Sequence, residues 1–249
     1  MSLTEQHSQQ TTAKEGWFRM THWSVVVLAG QGQSAPADAA LAKLCQTYWY
    51  PLYVFVRRQG HSQEDAQDLV QAFFARVLEK NYFKDADRDK GKFRSFLLIA
   101  LKRFLANEWD RANRLKRGGG QTIISLDEER TEAGYAVEPV DEASPEKAFE
   151  RRWALTLLDQ VLKQLEAEFA DAGKTAIFAE LKAFLSGESS GSTYAEIGKR
   201  LGMSEANMKV TVHRLRQRYR ELLRLEIANT VDSPEAIDVE IRHLFAALD

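Results

Sequence analysis

Residues 193–223, TYAEIGKRLGMSEANMKVTVHRLRQRYRELL, read as a short helix, a glycine turn and a long basic helix. Thr193 can cap a helix whose Ile197 and Leu201 face inward, while Gly198 leaves room for a second helix to cross closely. Gly202 supplies a positive-φ turn. Ser204 caps the second helix, along which Met208, Val212, Leu215, Tyr219 and Leu222 recur on one face. The arrangement is a helix-turn-helix. Between residues 199 and 224 eight bases stand against Glu205 and Glu221, a local charge of +6. The start of the second helix suits a DNA major groove, with Glu205, Asn207, Lys209 and Thr211 toward base edges and the later arginines on phosphates.

The chain as a whole carries a formal charge of −2 over 249 residues, so its basic character is segregated rather than general. A second basic segment runs from Arg94 to Arg117, with seven bases against Glu108 and Asp110, a charge of +5 interleaved with Phe96, Phe104 and Trp109. Basic side chains track a backbone and aromatic rings stack on unpaired bases, so this segment suits single-stranded or opened DNA. Trp109, among charged neighbours, is the aromatic expected to lie outside the core.

Apolar spacing organises the rest. Ala37 to Arg58 has helical periodicity that Pro51 should kink or divide, and Ser62 with Asp65 starts a helix running to about Lys80. A third helix follows from Arg94, and the three glycines 118–120 break it. Residues 126–150 hold nine acids against Arg130 and Lys147, a local charge of −7, and lack sustained periodicity up to about Ser144. Ser144, Pro145 and Glu146 then restart helix, and Ser233 with Pro234 opens a last one. The reading is all-α: two helical domains joined by an acidic flexible linker, the C-terminal one a helix-turn-helix. Its divisions are a partly disordered extension at 1–34, a domain at 35–117, the linker at 118–144, a second domain at 145–230 and a helical extension at 231–249.

Several function classes are excluded. Cys45 is the one cysteine, so neither an internal disulfide nor a cysteine metal site can form, and a reducing cytoplasmic setting follows. The longest aliphatic run, residues 25–30, is too short to span a bilayer. The five histidines are scattered and no HExxH, P-loop or dinucleotide motif occurs. Glu64, Asp65 and Asp68 could hold a hydrated magnesium ion, but acids at a helix start are more often surface charge. No enzyme activity, cofactor or metal is expected.

SQEDAQDLVQAFFARVLEK at 62–80, KFRSFLLIALKRFLANEWDRANRLKRG at 92–118, the acidic linker and the 194–223 stretch come in that order. Together they resemble the bacterial sigma factors of the extracytoplasmic-function (ECF) group, in the sigma-70 superfamily, over residues 35–117 and 145–229. The resemblance implies that the first domain binds the β′ clamp helices of core RNA polymerase through Asp65, Asp68 and Gln71. It implies that Arg94, Phe96, Lys102, Arg103, Trp109, Arg111 and Arg114 melt and hold the minus-ten element. It also implies that the second domain reads the minus-thirty-five element with Ser204, Glu205, Asn207, Lys209, Thr211, Arg214, Arg216 and Arg218. Implied partners are core polymerase, including its β flap, promoter DNA and an anti-sigma factor, with no membrane. The alternative is a helix-turn-helix regulator that binds duplex DNA without serving as a polymerase subunit.

If the helix-turn-helix neutralises about five phosphates, the logarithm of its affinity for its duplex should fall with log salt at a slope of about −4 to −5. Fluorescence anisotropy over a salt series measures it, and a slope near zero would remove the phosphate contacts.

Overall fold

Pro51 does not divide its helix. In the computed structural model, which describes residues 35–79, 92–114, 144–185, 193–231 and 233–249, a single helix α1 runs over Ala35–Arg58. Proline removes one backbone donor from the ladder, yet here it sits at the head of a stretch, Leu52 to Val56, whose five side chains are fully buried. A helix apolar on every side is stable only inside a core, and packing outweighs the missing bond. Cys45, on the same helix, is half-buried, and burial pushes its thiol up to about 11.

Seven further α-helices follow among the described residues: α2 Gln63–Glu79, α3 Phe93–Arg114, α4 Pro145–Asp171, α5 Thr175–Leu181, α6 Tyr194–Arg200, α7 Glu205–Ala228 and α8 Ala236–Ala246. A 3-10 turn at Lys182–Phe184 follows α5. All regular structure described is helical, so the fold is all-α. No described helix is long and apolar enough to cross a membrane. The N-terminal extension at 1–34 and the linker, apart from Ser144, lie outside the described residues.

Helix starts follow their caps. The Ser62 hydroxyl accepts from the Asp65 amide at 3.1 Å and donates to the Asp65 carboxylate at 2.7 Å. Ser144 accepts from the Lys147 amide at 3.3 Å, ahead of Pro145. Thr193 and Glu196 form a full capping box, each side chain receiving the other's backbone N–H. Ser204 accepts from the Asn207 amide at 3.3 Å.

The chain divides into two compact units, and the division falls inside α4 rather than at its start: residues to Trp153 with Ala228–Asp249, and Ala154–Ile227. In the first unit α1 is the centre. α2 contributes Val70, Phe73, Phe74 and Val77 to the core, and α3 contributes Phe93, Leu97, Leu101 and Phe104. Rings interlock, Phe73 with Phe104 at 5.6 Å and Tyr48 with Phe93 at 5.3 Å. Burying each such side chain contributes about 1.5–3 kcal/mol. Phe149 and Trp153 are buried too, and the Arg152 guanidinium lies 4.9 Å from the Tyr50 ring, so the opening turns of α4 belong to this unit.

The second unit buries Leu157, Val161 and Leu165 of α4, Phe178 of α5, Ile197 of α6 and Met208, Val212 and Leu215 of α7. Phe169 meets Phe178 at 5.4 Å and Phe184 stacks on Tyr194 at 5.0 Å. Closure depends on two glycines. A Cβ at Gly198 would stand 2.7 Å from the Met203 carbonyl oxygen and 3.0 Å from Met208 Cγ, whereas Gly202 has open space but a φ of +65°.

G198A should therefore destabilise the protein by about 1–3 kcal/mol through overpacking, and G202A by about 1–2 kcal/mol through left-handed backbone strain. Urea unfolding distinguishes these from a neutral outcome, which would mean that the turn relaxes freely.

Candidate nucleic-acid interfaces

The second unit presents the first turns of α7 to solvent. Glu205, Asn207, Lys209 and Arg214 are exposed and Thr211 is half-exposed, its hydroxyl donating to the Asn207 carbonyl at 2.8 Å. Lys209 pairs with Glu205 at 2.7 Å, which raises the Lys209 pKa through that hydrogen bond. An exposed i, i+4 pair of this kind is only weakly stabilising, so a phosphate or base edge can replace the carboxylate. Ser204 serves as the cap.

Further along α7 the arginines have other work. Arg216 donates twice to the Phe184 carbonyl, at 3.1 and 2.9 Å. Arg218 forms a two-pronged pair with Glu168, at 2.8 and 2.7 Å, and reaches Glu221 at 3.1 Å. Placed by sequence on phosphates, both instead fasten α7 to its neighbours here. Their spacing along an exposed face gave no sign of these partners, which lie 32 and 50 residues away in sequence.

On α3 of the first unit the expected DNA-facing residues separate into two groups. Arg103, Trp109 and Arg111 are exposed, Trp109 at 69%. The Arg114 side chain lies outside the described residues. Phe96 is half-buried, 6.4 Å from the Phe93 ring.

The remaining two cations are held by carboxylates. Lys102 donates to Glu146 at 2.6 Å, a hydrogen bond that lowers the Glu146 pKa. Arg94 is 4% exposed, paired with Glu150 at 2.5 Å and with Glu240 of α8, and its guanidinium lies 4.3 Å from the Trp153 ring. Neither was expected to be paired, because all three acids are remote in sequence. Glu240 itself is 1% exposed and also binds Lys92 at 2.8 Å. The Lys92 ammonium is pushed down to about 8, first by burial and then by the Arg94 charge.

Between α2 and α3 an open groove of about 490 Å³ is lined by Gln59, His61, Leu69, Lys102, Leu105 and Trp109, among others. The outward face of α2 carries Glu64, Asp65 and Asp68, all exposed, with Gln71 half-exposed one turn on. No group of three or more His, Cys, Asp or Glu among the described residues could hold a metal ion. The arrangement offers ionic and stacking contacts.

Set against known families, residues 31–225 match the family model described as ECF sigma factor, which covers most of the chain. No curated protein and no solved structure matches it.

The hydrogen bond from Arg218 holds the Glu168 carboxyl below its ordinary range, so the pair's contribution is complete above the usual carboxylate pKa and is lost as pH falls through the depressed value. E168Q should therefore destabilise the protein more at about pH 7 than at about pH 4. Urea midpoints for variant and wild type at both values measure this, and an equal difference at the two would show that the ion pair contributes nothing.

Proposed function

The chain belongs to the ECF sigma factor family and is a transcription initiation factor that binds core RNA polymerase and promoter DNA; we propose that it directs the polymerase to promoters by reading a minus-thirty-five duplex with the second unit and opening the minus-ten element with the first. In this reading Asn207, Lys209, Thr211 and Arg214 address the duplex, and the second unit meets the β flap. Arg103, Trp109 and Arg111 hold the displaced strand. Asp65, Asp68 and Gln71 on the acidic face of α2 meet the β′ clamp helices. The work is done in the cytoplasm.

The observation that supports strand opening is Trp109. Among the α3 aromatics Phe93 is fully buried and Phe104 is 3% exposed, whereas Trp109 stands in water on a basic helix. An indole left exposed costs hydrophobic free energy that core placement would recover. As a platform for an unpaired base it contributes about 1–3 kcal/mol per base.

Run-off transcription from fragmented genomic DNA, with purified core polymerase with and without this protein, tests the reading. New discrete transcripts sharing two spaced promoter elements are expected. If core neither binds the protein nor initiates with it, the duplex-binding regulator takes its place. W109A should weaken open-complex formation by about 1–3 kcal/mol and leave duplex minus-thirty-five binding unchanged, as permanganate footprinting and anisotropy would show.

A further inference from the structure

We propose that helix α8 is an exchangeable occupant of a phosphate-binding surface at the start of α3, and that it leaves when a DNA strand is held there. The proposal rests on the promoter-opening reading above. Ile237, Glu240 and Leu244 lie three and four residues apart on one helix face and are all buried, at 7, 1 and 0% exposure. The middle of an apolar stripe is thus a carboxylate, at a position where packing alone favours an aliphatic side chain.

That carboxylate meets Arg94 and Lys92, and Glu150 takes Arg94 from α4 at 2.5 Å. His243, one turn after Glu240, lies 3.7 Å from it and contacts Lys92. A guanidinium and an ammonium converging on carboxylate oxygens are also the donors that a phosphodiester accepts from. Arg94, at 4% exposure, is closed to any strand while α8 is seated.

Two further facts favour exchange over a fixed structural tie. Removing one partner from a buried ion pair is costly because it strands the other charge, but replacing one anion by another leaves no such charge behind. The family match ends at residue 225, so Glu240 lies beyond the matched segment whereas Lys92 and Arg94 lie within it. An appended helix therefore covers cations of the matched segment.

The test compares the full-length protein, E240Q and a chain ending at Val231 in binding a fluorescein-labelled single-stranded oligonucleotide over a salt series. If α8 is seated about nine-tenths of the time, both variants should bind about tenfold tighter. Their log–log salt slope should stay near that of the wild type, because the same phosphates are neutralised once α8 has left. A purely structural helix would leave the affinity alone.

Hydrogen exchange over residues 236–246 of the wild type, with and without the oligonucleotide, covers the case in which a variant unfolds. Faster exchange with DNA is expected. Folded variants with wild-type affinity, or unchanged exchange, overturn the proposal. Wild-type failure to initiate transcription with core polymerase would instead remove the promoter reading on which it rests, so the two failures are distinct.

Discussion

A helix without a solvent face must be surrounded, and the first unit is organised by that requirement. From Leu52 to Val56 α1 exposes nothing, so a single amphipathic partner cannot satisfy it. α2 and α3 supply the family's part of the enclosure, while Arg152 on the Tyr50 ring ties in the start of α4. The same enclosure decides which α3 residues remain available to a ligand. Its buried row is spent on the core, and what is left outward includes Arg103, Trp109 and Arg111.

In the second unit the governing quantity is distance rather than coverage. The turn between α6 and α7 brings the Met203 carbonyl and the Met208 side chain so near Gly198 that no larger residue fits without movement. Arg216 and Arg218 then hold the middle of α7, through Phe184 and Glu168. A helix fixed at its start and its middle by short-range geometry presents its exposed first turns in one orientation, which is what reading base edges demands.

Much of this was legible from local signals. Caps at Ser62, Ser144, Thr193 and Ser204 mark helix starts because the hydrogen bonds involved span three residues. The all-helical fold follows from apolar spacing, which is equally local. What could not be read was pairing at long range. Arg94 with Glu150 and Glu240, Lys102 with Glu146, and Arg218 with Glu168 join residues whose proximity is created only by folding. A run of bases therefore overstated the cations presented to a ligand. The one local hint was Glu240 itself, an acid flanked at helical spacing by Ile237 and Leu244. Pro51 left one bent helix or two open, and the helix stays single because the local penalty is small beside the burial of the turns that follow it.

Cys45 has a practical consequence. With its thiol pushed up to about 11 by burial, the thiolate is only roughly one part in ten thousand at neutral pH, and the thiolate is the species that maleimides and other alkylating dyes attack. The native protein thus comes close to being silent toward thiol chemistry without any residue being replaced. A cysteine introduced at an exposed position such as Phe245 or Ile99, 50 and 51% exposed, would react far ahead of it. Fluorophores can therefore be placed on chosen helices of the unmodified background, and their motion followed while the protein assembles with polymerase and DNA.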